Sequence, residues 1–217
     1  MNNTINLKKY KLVIFDIDGT LYDQKKLRFK MSMDILIYYL IRPNKIFELK
    51  IIKIFREERE KRKGIYSENL ENEQYLWVEK KINYPTEIIR NIIKRWIFER
   101  PIKYLYKCKY SGIEELFLFL KKNNIMIGIY SDYPTKKKME ALRLKADIEV
   151  ASTDKDINAL KPNPKGLLYI KDKFDFNIKE CLFIGDRENI DGMCAKNAGM
   201  DYLIIDKKGK IFEQLLR

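Results

Sequence analysis

Asp16 and Asp18 are the residues with the clearest potential for chemistry. They follow an apolar run at residues 12–15, rich in β-branched and aromatic side chains, which predicts a strand buried on both faces. Side chains two residues apart in an extended chain point the same way, so both carboxylates leave the strand on one side. Gly19 and Thr20 then turn the chain, and glycine permits a close backbone approach to a ligand. An isolated Asp-x-Asp also fits an ordinary helix cap or turn.

Two carboxylates held this close repel one another unless positive charge lies between them. A divalent cation that prefers oxygen ligands, Mg²⁺ above all, meets this need. Beside such a cation, one carboxylate could attack phosphorus as a nucleophile. Its neighbour could handle the proton of the leaving group and of the later water. The pair therefore indicates phosphoryl-transfer chemistry with Mg²⁺ as the cofactor.

Ser131 and Asp132 are candidates for phosphate binding. They follow a second predicted strand, at residues 125–130, and Pro134 then opens a helix. A hydroxyl group and free backbone N–H groups at a helix start form a site for a phosphoryl oxygen. Taken alone, Ser131 is also compatible with a cap or turn residue.

Lys161 stands in the string LKPNP, where two prolines restrict its backbone. Pro162 favours an extended conformation of the preceding lysine, and Asn163 and Pro164 are typical of a helix cap and a first helical position. A lysine held in this way can neutralise a phosphate and an attacking carboxylate as a point charge. A lone lysine elsewhere would be read as solvated surface.

A second acidic pair, Asp186 and Asp191, lies in GDRENIDG after the predicted strand at residues 181–184. Asp186 emerges at the strand exit and Asp191 lies near the start of the next helix. Together with Asp16 and Asp18, this pair could complete an octahedral oxygen shell for a metal. An isolated pair at this spacing also fits a helix cap and a surface acid.

The elements that must position these residues alternate along the second half of the chain. Strands are predicted at residues 125–130, 148–151, 181–184 and 202–205, and helices at 112–123, 134–144, 164–174, 190–198 and from Lys210. Such alternation, with the first strand included, predicts an α/β fold with a Rossmann-like, doubly wound parallel sheet. Ligands bind at the carboxyl ends of the strands in such sheets, which is where every candidate residue falls.

Residues 24–100 contain no strand signal and instead predict a helical insertion. Apolar residues at helical spacing indicate four helices, at residues 27–41, 45–63, 68–82 and 86–100. The segment is too long for a loop and large enough to form a small bundle.

Composition excludes several kinds of enzyme. The 217 residues contain no histidine, which rules out a Ser-His-Asp triad and a histidine-ligated zinc. The three cysteines are widely spaced and predict neither disulfides nor a zinc site. Residues 1–11 lack the apolar core of a signal peptide, and the longest apolar run, at residues 35–41, is too short to cross a bilayer. We expect a cytoplasmic protein.

The net charge of +13 is concentrated in the insertion. Residues 24–108 have 21 basic and 11 acidic side chains, a net charge of +10. These charges are interleaved, as in REEREKRK, and no nucleic-acid motif accompanies them. A solvated helix surface is the favoured interpretation, and an anionic partner or nucleic acid held by the basic insertion is the alternative.

The string FDIDGTLYD resembles the first motif of the haloacid dehalogenase (HAD) superfamily of phosphohydrolases, and the serine, the lysine and the second acidic pair follow in that superfamily's order. The resemblance implies that Asp16 is a nucleophile that forms an aspartyl-phosphate and that Asp18 is the general acid and base. Ser131 and Lys161 would bind the phosphoryl group. Asp16, the main-chain carbonyl of Asp18, and Asp186 would bind Mg²⁺, with Asp191 in support.

The resemblance also implies that the insertion is a cap over the site. The core domain would comprise residues 1–22 and 109–217, the cap residues 23–108, and the hinges residues 22–24 and 109–112. The second aspartate favours phosphoryl transfer over dehalogenation, and the absence of histidine disfavours sugar phosphomutases. A phosphonatase with a cap lysine stays open. We expect a phosphatase acting on a small phosphorylated metabolite, of the phosphoglycolate, nucleotide or sugar phosphate type.

Overall fold

The computed structural model describes residues 6–205, 212 and 215, and its centre is one sheet of five parallel strands. The strands at residues 12–15 and 181–185 are buried along their whole length, as expected for strands covered on both faces. The strands are β1 (Leu12–Phe15), β2 (Met126–Ser131), β3 (Ile148–Ala151), β4 (Cys181–Gly185) and β5 (Asp201–Ile204).

A helical insertion lies between β1 and β2, as the apolar periodicity predicts. Between residues 24 and 108 the structure has five α-helices instead of the four predicted, because a helix begins again after Pro101. Proline is compatible with a helix start, where its missing N–H is not needed. The predicted helix at residues 86–100 is α-helical over Thr86–Ile93 and π-helical over Lys94–Glu99. The helices are α1 (Gln24–Ile41), α2 (Glu48–Lys61), α3 (Leu70–Ile82), α4 (Thr86–Ile93) and α5 (Ile102–Cys108).

The strand order is β3-β2-β1-β4-β5, which places β1 at the centre of the sheet. Val13 and Phe15 pack into one hydrophobic core, and Leu12 and Ile14 pack into a second core on the opposite face. The prediction of a doubly wound α/β sheet is confirmed. The predicted helix from Lys210 lies outside the described residues. The remaining helices are α6 (Ile113–Lys122), α7 (Lys136–Leu142), α8 (Lys165–Lys173) and α9 (Met193–Ala198).

The chain enters and leaves the insertion at two adjacent points. Tyr22 and Lys109 form an antiparallel β-bridge. The Asp23 N–H donates to the Cys108 carbonyl at 2.9 Å. The Asp23 carboxylate also accepts hydrogen bonds from the first backbone N–H groups of α1, which fixes where that helix begins. Both crossings lie where we place the hinges.

A loop of the insertion pairs with the loop that leads to Lys161. Tyr66 forms an antiparallel bridge with Ala159, and the Leu160 N–H donates to the Ile65 carbonyl at 2.9 Å. The Gly64 N–H donates to the carbonyl of Lys161 at 3.2 Å. The sequence contains no strand signal for this pairing. The insertion is therefore joined to the sheet both at its two chain crossings and at a loop of the site.

The surface of the insertion has interleaved charges that form ion pairs. Arg90 lies 2.7 Å from Glu71, and Lys53 lies 3.8 Å from Glu57. In the part of the chain that the structure describes, no helix is both long enough and apolar enough to cross a membrane.

Glu48 provides a test of how the insertion is held together. Its buried carboxylate accepts hydrogen bonds from Tyr39 on α1 at 3.1 Å and from the Trp96 indole at 3.0 Å, and it pairs with Arg95 at 3.3 Å. Glu48→Ala removes the acceptor of the Tyr39 hydroxyl and the Trp96 indole and the ion pair of Arg95, so we expect urea denaturation to show a loss of about 3 kcal/mol in unfolding free energy. Glu87→Ala, at an exposed position on α4, should cost less than about 1 kcal/mol. Equal losses would contradict this role.

Candidate active site

The candidate residues meet at the carboxyl edge of the sheet. β1 and β4 are neighbours, and so are β1 and β2, so the loops after these three strands lie side by side. The loop after β3 brings Lys161 back to them. Because parallel strands all end at one edge, residues distant in sequence become neighbours there.

Lys161 is the central cation of the site. Its side chain is buried, and its Nζ lies 2.6 Å from Oδ1 of Asp16 and 2.7 Å from Oδ1 of Asp191. Burial would lower the pKa of Lys161, but the two carboxylates outweigh it and hold the pKa well above its ordinary value. The ammonium group therefore stays charged inside the protein.

The Asp16 carboxylate contacts a cation through one oxygen and a hydroxyl donor through the other. Thr20 Oγ1 donates to its Oδ2 at 3.0 Å, opposite the contact with Lys161. Burial, together with the neighbouring carboxylates, raises the pKa of Asp16 to about 7, although the Lys161 ammonium opposes the shift. A further positive charge beside Asp16 would favour its ionised, nucleophilic form.

Three buried carboxylates form a cluster that fits a divalent cation. One oxygen from each of Asp16, Asp186 and Asp191 lies within 4.8 Å of the others. The backbone is shaped around them, since a Cβ at Gly19 would lie 2.4 Å from Asp186 Oδ2 and one at Gly185 would lie 2.4 Å from the Asp191 Cβ. Carboxylate oxygens are the ligands that Mg²⁺ prefers, and Lys161 offsets only part of the negative charge. These residues could therefore hold Mg²⁺.

The Asp18 side chain lies outside that cluster and makes a separate contact. Lys138 Nζ lies 2.6 Å from Oδ1 and 2.5 Å from Oδ2 of Asp18, and the Tyr22 hydroxyl also donates to Oδ1. Burial would raise the pKa of Asp18, but the Lys138 ammonium and the Tyr22 hydroxyl outweigh it and lower the pKa. Among the predicted metal ligands, Asp18 is thus available only through its main-chain carbonyl in this arrangement.

Sequence reasoning missed Lys138. It is the third of three consecutive lysines at the start of α7, a pattern typical of an exposed helix face. Its side chain is nevertheless only 7% exposed. The available signal was its position in the first turn of the helix that follows β2. Side chains of a helix tilt toward its N-terminus, and this N-terminus lies near the carboxyl end of the strand.

Ser131 and Asp132 occupy different positions at the end of β2. The Ser131 hydroxyl is buried 3.5 Å from Asp18 Oδ2 and accepts the Tyr133 N–H at 3.3 Å. The Asp132 carboxylate turns the other way and accepts the backbone N–H of Lys161 at 3.2 Å and the Ser152 hydroxyl at 2.8 Å. Asp132 therefore positions the lysine loop, and only Ser131 directs its side chain toward the two catalytic candidates of β1.

A cavity of about 700 Å³ extends from the carboxylates into the insertion. Asp16, Lys161 and Asp186 line it on the side of the sheet, and residues of α1, α2 and α5 are among those that line it on the side of the insertion. A substrate that placed a phosphoryl group beside Asp16 would therefore contact the insertion with the rest of its atoms.

Comparison with known proteins agrees with this geometry. A model of the haloacid dehalogenase-like hydrolase family matches residues 10–199, nearly the whole chain. The chain therefore belongs to the haloacid dehalogenase-like hydrolases and is a HAD-type hydrolase. None of the curated proteins matches it by sequence.

Solved structures share the fold at low sequence identity. A protein from Bacillus subtilis proposed to be a HAD-hydrolase, in a magnesium-bound form, is 15% identical with a TM-score of 0.63, over 96% of this chain and 99% of that one. A 2-haloacid dehalogenase from Pseudomonas syringae is 16% identical with a TM-score of 0.62, over 90% and 86% of the two chains. A HAD phosphatase from Thermococcus onnurineus is 19% identical with a TM-score of 0.55, over 92% and 87%.

The metal assignment is tested by removing one carboxylate. Asp186→Asn keeps the side-chain volume but removes a charge, so we expect Mg²⁺ affinity, measured by calorimetry, to fall by about tenfold or more. The matched control is Asp172→Asn, at an exposed carboxylate paired with Lys171. Unchanged Mg²⁺ affinity in the Asp186 variant would show that the cluster is not the cation site.

Proposed function

We propose that the protein is a Mg²⁺-dependent phosphatase that hydrolyses a small phosphomonoester through an aspartyl-phosphate on Asp16. The observation that carries the proposal is the buried contact of Lys161 with Asp16 and Asp191, next to the carboxylate of Asp186. In this proposal residues 1–22 and 109–217 form the core domain and residues 23–108 form its cap. The cavity that both segments line supports this division.

In the first half-reaction, Asp16 attacks phosphorus and the bond to the leaving oxygen breaks. Asp18 donates a proton to that oxygen, a role that requires Asp18 to be protonated in the substrate complex because its pKa is lowered in the free protein. Lys161 neutralises the phosphoryl oxygens, and the Ser131 hydroxyl and the backbone N–H of Gly19 orient them. The Thr20 N–H donates to the Ile17 carbonyl, so Thr20 acts through its hydroxyl group on Asp16. The acidic cluster and the main-chain carbonyl of Asp18 would hold Mg²⁺, which would supply positive charge near the same oxygens.

In the second half-reaction, Asp18 takes a proton from water. The water oxygen attacks phosphorus, inorganic phosphate leaves, and the Asp16 carboxylate is restored. Lys138 and Tyr22 hold the Asp18 carboxylate in place for both transfers. Lys138 thus acts as a positioning residue through Asp18.

Substrates of the phosphoglycolate, nucleotide and sugar phosphate types fit this chemistry. Two further solved structures share the fold. One is a protein from Lactobacillus plantarum described as a phosphoglycolate phosphatase, with a TM-score of 0.57, and the other is a phosphonoacetaldehyde hydrolase-like protein from Oleispira antarctica, with a TM-score of 0.58. A phosphomutase or phosphonatase reaction would use the same Asp16 chemistry. The ion pairs on the insertion surface support a solvated face over a nucleic-acid site.

Asp16→Asn tests the nucleophile. We expect it to abolish Mg²⁺-dependent phosphate release from a panel of phosphomonoesters while circular dichroism and thermal unfolding show a folded protein. The wild-type protein should lose turnover in EDTA and form an acid-stable phosphoenzyme that hydroxylamine cleaves. Wild-type turnover in the variant would reject the mechanism.

Lys138→Met tests the positioning of Asp18. A displaced Asp18 should slow proton donation, which matters most for a poor leaving group, so kcat/KM for an alkyl phosphate should fall about tenfold or more. The fall for 4-nitrophenyl phosphate, whose leaving group needs little protonation, should be several-fold smaller. Lys136→Met, at an exposed position on the same helix, is the control. An equal fall for both esters would indicate general structural damage instead.

A further inference from the structure

The cavity above the acidic cluster is larger than a minimal phosphomonoester requires. Its volume of about 700 Å³ lies within the range of roughly 300–1,000 Å³ found for pockets that bind drug-sized molecules. A two-carbon leaving group would fill only the end next to Asp16. The volume therefore favours a leaving group with a larger body.

The wall provided by the insertion is apolar in part, beside charged side chains of α1 and α2. Met31 on α1, Ile52 on α2 and Leu105 on α5 line the cavity, and all three side chains are buried. Hydroxyl groups of a sugar placed against these three side chains would lose hydrogen bonds to water without gaining partners. An aryl or branched alkyl group placed there would instead gain from burial.

Two arginines on the same cavity have unused hydrogen-bonding capacity. Arg28 on α1 and Arg56 on α2 line it with exposed side chains, and neither forms an ion pair or hydrogen bond with any residue that the structure describes. Arg59, by contrast, is engaged by Gln74 at 2.5 Å and by the Asp132 carbonyl at 2.6 Å. A guanidinium group binds a carboxylate or phosphate through two parallel hydrogen bonds.

We infer that the substrate is a phosphomonoester whose leaving group combines an apolar aryl or branched alkyl body with a second anionic group. The body lies against Met31, Ile52 and Leu105, and the second anion binds Arg28 and Arg56. This inference rests on the proposed phosphatase function and narrows its substrate.

The test compares esters that differ in one feature. 4-(2-Carboxyethyl)phenyl phosphate and 4-ethylphenyl phosphate have leaving groups of similar acidity, so a difference between them reports the second anion. We expect kcat/KM for the carboxylate ester to be about tenfold higher, the size expected of a charge-assisted hydrogen bond. Both aryl esters should be better substrates than phosphoglycolate, which lacks the apolar body.

Variants connect this preference to the residues. The double change Arg28→Gln and Arg56→Gln should lower kcat/KM for the carboxylate ester about tenfold more than for 4-ethylphenyl phosphate. Lys50→Gln, at an exposed position on α2 that does not line the cavity, should retain the preference. Met31→Gln should lower kcat/KM for 4-ethylphenyl phosphate more than for phosphoglycolate.

Binding separates this inference from the reaction itself. The Asp16→Asn protein, titrated with both aryl esters by calorimetry in the presence of Mg²⁺, should show the same preference without turnover. Equal affinity and equal kcat/KM for the two aryl esters would overturn the second-anion site, even if both are hydrolysed. Retained preference in binding, with no hydrolysis of any ester by the folded wild-type protein, would reject the phosphatase reaction and keep the binding site.

Discussion

The buried ammonium group of Lys161 is the interaction on which the site depends. Moving a charge out of water costs several kcal/mol, and the cost is offset only when partners are held at hydrogen-bonding distance. Asp16 follows β1 and Asp191 follows β4, so the partners meet only because these two strands are neighbours. The strand order of the sheet is thus a requirement of the chemistry.

The four aspartates near Lys161 do not form one uniform acidic pocket. Asp16, Asp186 and Asp191 converge and leave an excess of negative charge, which suits a cation. Asp18 instead pairs with Lys138 and has a lowered pKa, whereas the pKa of Asp16 is raised. Without a cation these shifts favour a proton on Asp16 and the ionised form of Asp18, so the proposed nucleophilic role of Asp16 requires further positive charge beside it.

Much of the fold follows from local patterns, and the site follows only in part. Apolar runs bounded by turn residues locate all five strands to within one residue. Burial on both faces makes this signal continuous in β1 and β4, whereas β5 is only partly buried. The helix after Pro101 was missed, since proline both ends and begins helices. Lys138 was missed because three consecutive lysines give the same sequence pattern whether all of them are exposed or one is buried. The direction of the Asp132 carboxylate likewise depends on a loop distant in sequence.

The pairing between the insertion and the lysine loop links two parts of the site that the sequence presents as independent. Backbone hydrogen bonds join Gly64 and Ile65 to the segment that ends at Lys161. A movement of the insertion away from the sheet must therefore break these bonds or displace the lysine from Asp16. Either event would separate the cavity wall from the charge that binds the phosphoryl group. Recognition of the leaving group and neutralisation of the phosphoryl group are consequently properties of one connected structure.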